Sequence, residues 1–207
     1  AMVLAVSRQM AQLVTADVSG VIHHGCLLPE HPRPPRAQVP DPTVVLNVGN
    51  LMENKGVDTI IEGVAEVVAL DDRGWDLRVH GRRSDPVYAA AMEQLSIDRL
   101  GGSVLRGPVY GDDLMAAYQA ADIVVVGSAF ESFCHPLVEA MRSGCVVVAP
   151  ECVLVRELCG DVAVTYDEYD PESLARALAA ARAEPDDRAR RGGGPAGRCT
   201  GGQAAGP

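Results

Sequence analysis

Aromatic side chains are scarce in this chain: two Phe, one Trp and five Tyr make up 4% of 207 residues. A core must therefore be assembled from Val, Ala and Leu, which the 47% apolar content permits. Positive charge is in deficit too. Eighteen Lys and Arg stand against 28 Asp and Glu, for a formal charge of −10. A nucleic-acid surface needs a clustered basic stripe, so no nucleic-acid partner is expected. An anionic small ligand would need local positive charge set against the overall field. No apolar run approaches the roughly 18 residues of a membrane-spanning helix, so no transmembrane segment is expected. Of the six cysteines, Cys26, Cys134, Cys145, Cys152, Cys159 and Cys199, no two form a C-x-x-C pair. That spacing argues against zinc; several of the cysteines lie in apolar runs, which reads as buried, reduced thiols in a cytoplasmic protein. Residues 1–15 are apolar but lack the charged start and cleavage site of a signal peptide. The chain opens inside what reads as a helix, which suggests a fragment. The expected location is the cytoplasm, with peripheral membrane attachment left open for a longer form.

The pattern that is present alternates strand and helix. Residues 2–14 read as a helix and Val18–Ile22 as a short strand, followed by His23-His24-Gly25. Neighbours on a strand point to opposite faces, so the two histidines are expected in loop or core roles rather than as joint ligands. Six prolines fall between residues 29 and 42, which forbids a helix or central strand and reads as a stiff linker. Val44–Val48 is the first strand of a domain beginning at 43. A loop from Gly49 to Gly56 carries Lys55. The helix after it places Val57, Ile60, Ile61, Val64 and Val68 on one face. Trp75–His80 is the second strand, with Trp75, Leu77 and Val79 inward. Asp85-Pro86 forms a helix start. Val104–Arg106 is a third strand, followed by the loop Gly107–Tyr110 and a helix starting at Asp112 or Asp113. Ile123–Val126 and Cys145–Ala149 are unbroken apolar runs, as strands covered on both faces require. Arg156-Glu157-Leu158 falls on a short helix and Val162–Thr165 on the last strand. Asp170-Pro171 starts a helix reaching about Ala181. Six such alternations predict an α/β fold, a doubly wound parallel six-stranded sheet with right-handed crossovers. Residues 184–207, rich in Gly and Arg and without apolar periodicity, are expected to be a disordered tail.

One stretch organises the rest: Glu131-Ser132-Phe133-Cys134-His135-Pro136-Leu137-Val138-Glu139-Ala140-Met141. It lies between two buried strands, where a short helix begins at the C-terminal end of a parallel sheet, the side on which such sheets bind ligands. Free N–H groups at a helix start attract an anion, typically phosphate. Carboxylates beside it repel the phosphate but accept hydrogen bonds from hydroxyls flanking it. A phosphate pair between two sets of hydroxyls is a nucleotide sugar. The alternative reading of the pair is one loop carboxylate and one solvated helix residue.

Glu131, seven residues, then Glu139, with Phe133, Pro136, Ala140, Met141 and Gly144 in register, resembles the E-x7-E signature of retaining glycosyltransferases of family 4, which have the GT-B fold. Val48-Gly49-Asn50-Leu51-Met52-Glu53-Asn54-Lys55-Gly56-Val57-Asp58 resembles that family's phosphate-contact segment. The resemblance covers roughly residues 43–182. It implies a nucleotide-sugar-binding domain at 43–183, the Rossmann-like half of a GT-B fold, after a remnant of the acceptor-binding domain at 1–28 and a linker at 29–42. It also implies transfer of a sugar from a nucleoside diphosphate sugar, UDP- or GDP-linked, to an acceptor hydroxyl with retention, without a metal or further cofactor. The partners implied are the donor, an acceptor of unspecified identity and the other domain. By the same resemblance Glu131 and Lys55 are the catalytic candidates, on the sugar hydroxyls and the diphosphate. Glu139 is assigned to the ribose, and the N–H groups of Phe133, Cys134 and His135 to a phosphate. Gly49, Asn50, Arg82 and Arg106 are donor-binding candidates, with Arg83 beside them. Asn50 stands where the family often has arginine, and Ser132-Phe133-Cys134 where it often has Gly-Phe-Gly. The competing readings are a catalytically inactive nucleotide-sugar-binding fragment and a nucleotide-sugar epimerase.

Overall fold

The computed structural model describes residues 2–14, 17–26, 41–71, 73–128 and 130–183. The prolines from 29 to 40 and the tail 184–207 lie outside the described residues. In chain order the elements are β1 (Leu4–Ala5), α1 (Arg8–Leu13), β2 (Gly20–Val21), β3 (Thr43–Val48), α2 (Val57–Leu70), β4 (Trp75–His80), α3 (Pro86–Leu100), β5 (Leu105–Arg106), α4 (Gly111–Ala120), β6 (Ile123–Val125), α5 (His135–Arg142), β7 (Val146–Pro150), α6 (Val153–Cys159), β8 (Val164–Tyr166) and α7 (Pro171–Ala183). Strands β3 to β8 form one parallel six-stranded sheet in the order β5-β4-β3-β6-β7-β8. The expected α/β doubly wound sheet is thus present. No helix among the described residues is long and apolar enough to cross a membrane.

Alternate residues of each strand feed two cores. Val45, Val79, Ile123, Val125 and Val148 face α2, α3 and α7. Leu46, Val124, Val147 and Ala149 face α4, α5 and α6, around Tyr118 and Phe133. Strands β6 and β7 are buried from end to end, because helices cover both of their faces. The scarcity of aromatics is met by packing β-branched and small side chains, and a Cβ on Gly63 of α2 would come within 2.7 Å of Leu174 on α7.

Three local expectations are corrected. Residues 2–14 are not one helix. Leu4–Ala5 pairs in parallel with Gly20–Val21, and the helix starts only after Ser7, whose Oγ accepts from Met10 N, an N-cap that fixes its first turn. Helix α4 begins at Gly111 behind Tyr110, so Asp112 and Asp113 lie within its first turn, where the positive helix end favours them. Val68 is exposed while Val67 is buried, because α7 packs on the Gly63 side of α2, the stripe that carries Thr59 and Val67. Asp85 does cap α3, accepting from Val87 N and Tyr88 N at 3.0 Å each.

The N-terminal piece is fastened to the sheet domain. Ser7 Oγ donates to Ser132 O at 2.7 Å. The Glu157 carboxylate of α6 accepts from Arg8 N at 2.8 Å and lies 2.7 Å from His23 Nε2. Gln9 Oε1 accepts from Leu154 N at 3.2 Å.

Candidate functional site

The order of the strands decides where a site forms. From β3 the chain winds to β4 and β5 on one side, then returns to β6 on the other. The loops leaving β3 and β6 therefore separate, opening a crevice at a topological switch point. Two glycines bring their far ends together. Gly56 has φ +60°, and a Cβ there would sit 2.6 Å from Gly127 O, while a Cβ on Gly127 would sit 2.6 Å from Gly56 O. No larger residue fits this backbone approach. It carries Lys55 against Glu131, whose Oε1 accepts from Lys55 Nζ across 76 positions of sequence. Asn47 ties the same two strands, its Nδ2 donating to Val125 O at 2.9 Å.

Glu139 lies one turn inside α5, a helix with Pro136 in its first turn. Its Oε2 accepts from Tyr118 OH at 2.7 Å. Tyr118 is fully buried. Burial pushes its phenol well above the ordinary range, and the Glu139 charge adds to the shift, so the hydroxyl keeps its proton and holds the carboxylate in place. The residue before the helix, Cys134, has φ 59° and ψ 71°, the left-handed region that glycine occupies without strain. The N–H groups of Phe133, Cys134 and His135 have no acceptor among the described residues, as expected at a helix start. The Phe133 ring itself is buried, ringed by His23, His24 and His135 at centroid distances of 5.9, 5.1 and 5.2 Å. Only its backbone is available to a ligand.

A cavity of about 600 Å³ joins these groups. Lys55, Glu131, Glu139, Phe133, Cys134, His135, Gly49, Asn50 and Arg82 all line it. Arg82 Nη2 lies 3.4 Å from Tyr110 OH at the exposed rim. Two candidates are turned away. Arg106 does not line the cavity; its Nη1 donates to Ser103 O at 3.0 Å, a local carbonyl that claims it first. Arg83 pairs with Glu93 on α3 at 2.7 Å. Sequence reasoning missed the role of Tyr118, which has the spacing of an ordinary core residue. It missed the cavity face of His24 and His80 as well. No local signal marks them, since each depends on how distant elements pack.

A family model described as glycosyl transferases group 1 matches residues 42–183. The chain is 34% identical over 142 residues to the mannosylfructose-phosphate synthase of Agrobacterium fabrum, covering 63% of this chain and 31% of that protein. It is 33% identical over 160 residues to the D-inositol 3-phosphate glycosyltransferase of Corynebacterium glutamicum, covering 72% and 37%. The chain thus spans about a third of the length of the curated relatives it matches. Among solved structures, a glycosyltransferase from Rickettsia africae superposes with a TM-score of 0.76 at 17% identity, over 96% of this chain and 57% of that one. TarM from S. aureus, solved with UDP, superposes with a TM-score of 0.70 at 20% identity, over 96% and 40%. The solved neighbours carry the GT-B fold, of which the six-stranded parallel sheet is the Rossmann-like half.

Proposed function

The chain belongs to the glycosyl transferases group 1 family, and from that premise we propose that residues 43–183 bind the donor in a transfer of sugar from a nucleoside diphosphate sugar to an acceptor hydroxyl, with retention. The observation that carries this reading is the meeting of Lys55, Glu131 and Glu139 on one cavity wall beside the open start of α5. Lys55 and the N–H groups of Phe133, Cys134 and His135 hold the diphosphate. Glu131 keeps one carboxylate oxygen on Lys55 and offers the other to the sugar hydroxyls. Glu139 does the same for the ribose, because Tyr118 occupies only Oε2.

The chemistry follows from charge. Cleaving the donor's glycosidic bond leaves a nucleoside diphosphate with one more negative charge. An ammonium and fixed N–H dipoles already aimed at that point stabilise it without reorganising. The donor, UDP- or GDP-linked, is the sole small-molecule requirement of this scheme besides the acceptor. Residues 1–28 are read as part of an acceptor-binding domain and 29–42 as the linker to it. By the names of the curated relatives, a phosphorylated sugar or polyol is the acceptor class to try first.

The test is titration calorimetry of the chain with UDP, GDP and ADP, followed by turnover with a nucleotide sugar, with and without an added acceptor domain. Binding of one nucleoside diphosphate and retained anomeric configuration in the product are expected. No binding of any of the three removes the donor site. Binding without turnover in either format leaves a nucleotide-sugar-binding module instead of an enzyme.

A further inference from the structure

The charged side chains lining the cavity are Lys55, Arg82, Glu131 and Glu139, two cations and two carboxylates. With imidazoles counted as neutral, the wall has no net charge. Lys55 is already bound to Glu131, which offsets part of its field at an incoming anion. Glu139 is held by an uncharged phenol and stays an uncompensated negative charge. Without Arg82 the wall would be net negative, facing a diphosphate, inside a chain of charge −10.

Arg82 differs from its neighbours. Arg73, Arg78, Arg83, Arg99 and Arg156 each meet a carboxylate within 2.9 Å. Among the described residues, Arg82 meets only the hydroxyl of Tyr110, 3.4 Å away, and that hydroxyl contact raises its already high pKa. Both residues are exposed at the rim. Their contact is long and its acceptor is neutral, so it is easily exchanged for a bond to an anionic phosphate oxygen. The backbone nevertheless anchors the position: Leu51 N donates to Arg82 O at 2.8 Å. That bond places Arg82 beside Asn50 on the same wall.

We propose that Arg82 is the second cation of the donor diphosphate, parked on Tyr110 until the anion arrives and then released to it. The proposal rests on the donor-site reading above and assigns Arg82 to phosphate rather than to the base. A guanidinium suits this role because its fork of donors matches two phosphate oxygens at once.

The experiment is titration calorimetry on the full chain with the tightest of UDP, GDP and ADP, its parent nucleoside, and inorganic pyrophosphate. Wild type, Arg82→Gln, Lys55→Ala and the double variant Asn50→Arg/Arg82→Gln are compared, with circular dichroism melts to check folding. Arg82→Gln should weaken the nucleotide and pyrophosphate roughly tenfold or more and leave the nucleoside unchanged. Asn50→Arg should restore much of the loss, since residue 50 lines the same wall. Equal losses for nucleotide and nucleoside make Arg82 a base contact and overturn the proposal. So does unchanged nucleotide binding by Arg82→Gln while Lys55→Ala is impaired; the donor site then stands without Arg82. A wild-type chain that binds none of the ligands overturns both.

Discussion

Two cations sit near opposite ends of the parallel sheet, and their surroundings separate a closed packing role from a place on a cavity wall. Arg182, in the last turn of α7, is 1% exposed. Its guanidinium lies 4.6 Å from the ring centroid of Trp75, the first residue of β4. Its Nη1 reaches Asp71 Oδ2 at 3.4 Å and Arg73 O at 3.5 Å. Burial pushes its pKa down, yet ring and acceptors close around it. Lys55, beyond the C-terminal end of β3, meets a carboxylate too, but on the wall of a cavity. A perturbed, buried charge therefore does not by itself mark a site in this fold. What distinguishes the proposed site is a paired charge facing open space at the switch point of the strand order.

The largest loss of stability is expected at Arg182. Its replacement by Ala removes a buried, ring-stacked side chain, and should cost about 3 kcal/mol in urea unfolding, with nucleotide affinity unchanged in the folded fraction. Gly56→Ala forces a Cβ into a left-handed residue 2.6 Å from Gly127 O. It should cost about 2 kcal/mol, and unlike the Arg182 change it should also weaken nucleotide binding, by separating Lys55 from Glu131. Tyr118→Phe removes the bond that holds Glu139 and should cost about 1 kcal/mol, with a fewfold loss of nucleotide affinity by calorimetry and none for pyrophosphate.

At the Arg182 end stability depends on acid pH through Asp71. The hydrogen bond from Arg73 is the main force holding the Asp71 carboxyl down at about 2, and the charges of Arg182 and Arg73 assist. A carboxyl with a depressed pKa stabilises the fold fully above its unfolded value of 3.8. That contribution is lost as pH falls from there towards about 2. Asp71→Asn should therefore flatten the stability profile between those limits and leave nucleotide binding at neutral pH untouched. The smallest effect is expected at Cys134→Gly. Relief of the left-handed strain is offset by lost burial and added chain entropy, so stability should shift by less than about 1 kcal/mol. Diphosphate affinity should rise, because the Cβ no longer crowds the helix start.

Strand and helix positions were legible because packing against helices on both faces demands unbroken Val and Ile runs, such as Ile123–Val125 and Val146–Val148. Glu131 and Glu139 stood out through the flanking residues that resemble the family signature; their spacing alone did not say that both would line one cavity. What the linear pattern does not carry is contact between distant loops. The Lys55–Glu131 bond spans 76 positions and depends on two glycines meeting. The Tyr118–Glu139 bond depends on how α4 and α5 lie together. Arg106 looked equivalent to Arg82 by position at a strand end, but it lies off the cavity wall and donates to the Ser103 carbonyl. The misread start of the chain has the same cause: Leu4–Ala5 becomes a strand because Gly20–Val21 lies beside it.

The most direct measurement compares nucleoside diphosphate affinity in Lys55→Ala and Glu139→Ala with that in Arg182→Lys, under matched salt. Roughly tenfold or greater losses in the first two, in chains whose melts show them folded at the assay temperature, and none in the third are expected. Wild-type affinity in both Lys55→Ala and Glu139→Ala contradicts the placement of the donor at the switch point of the sheet.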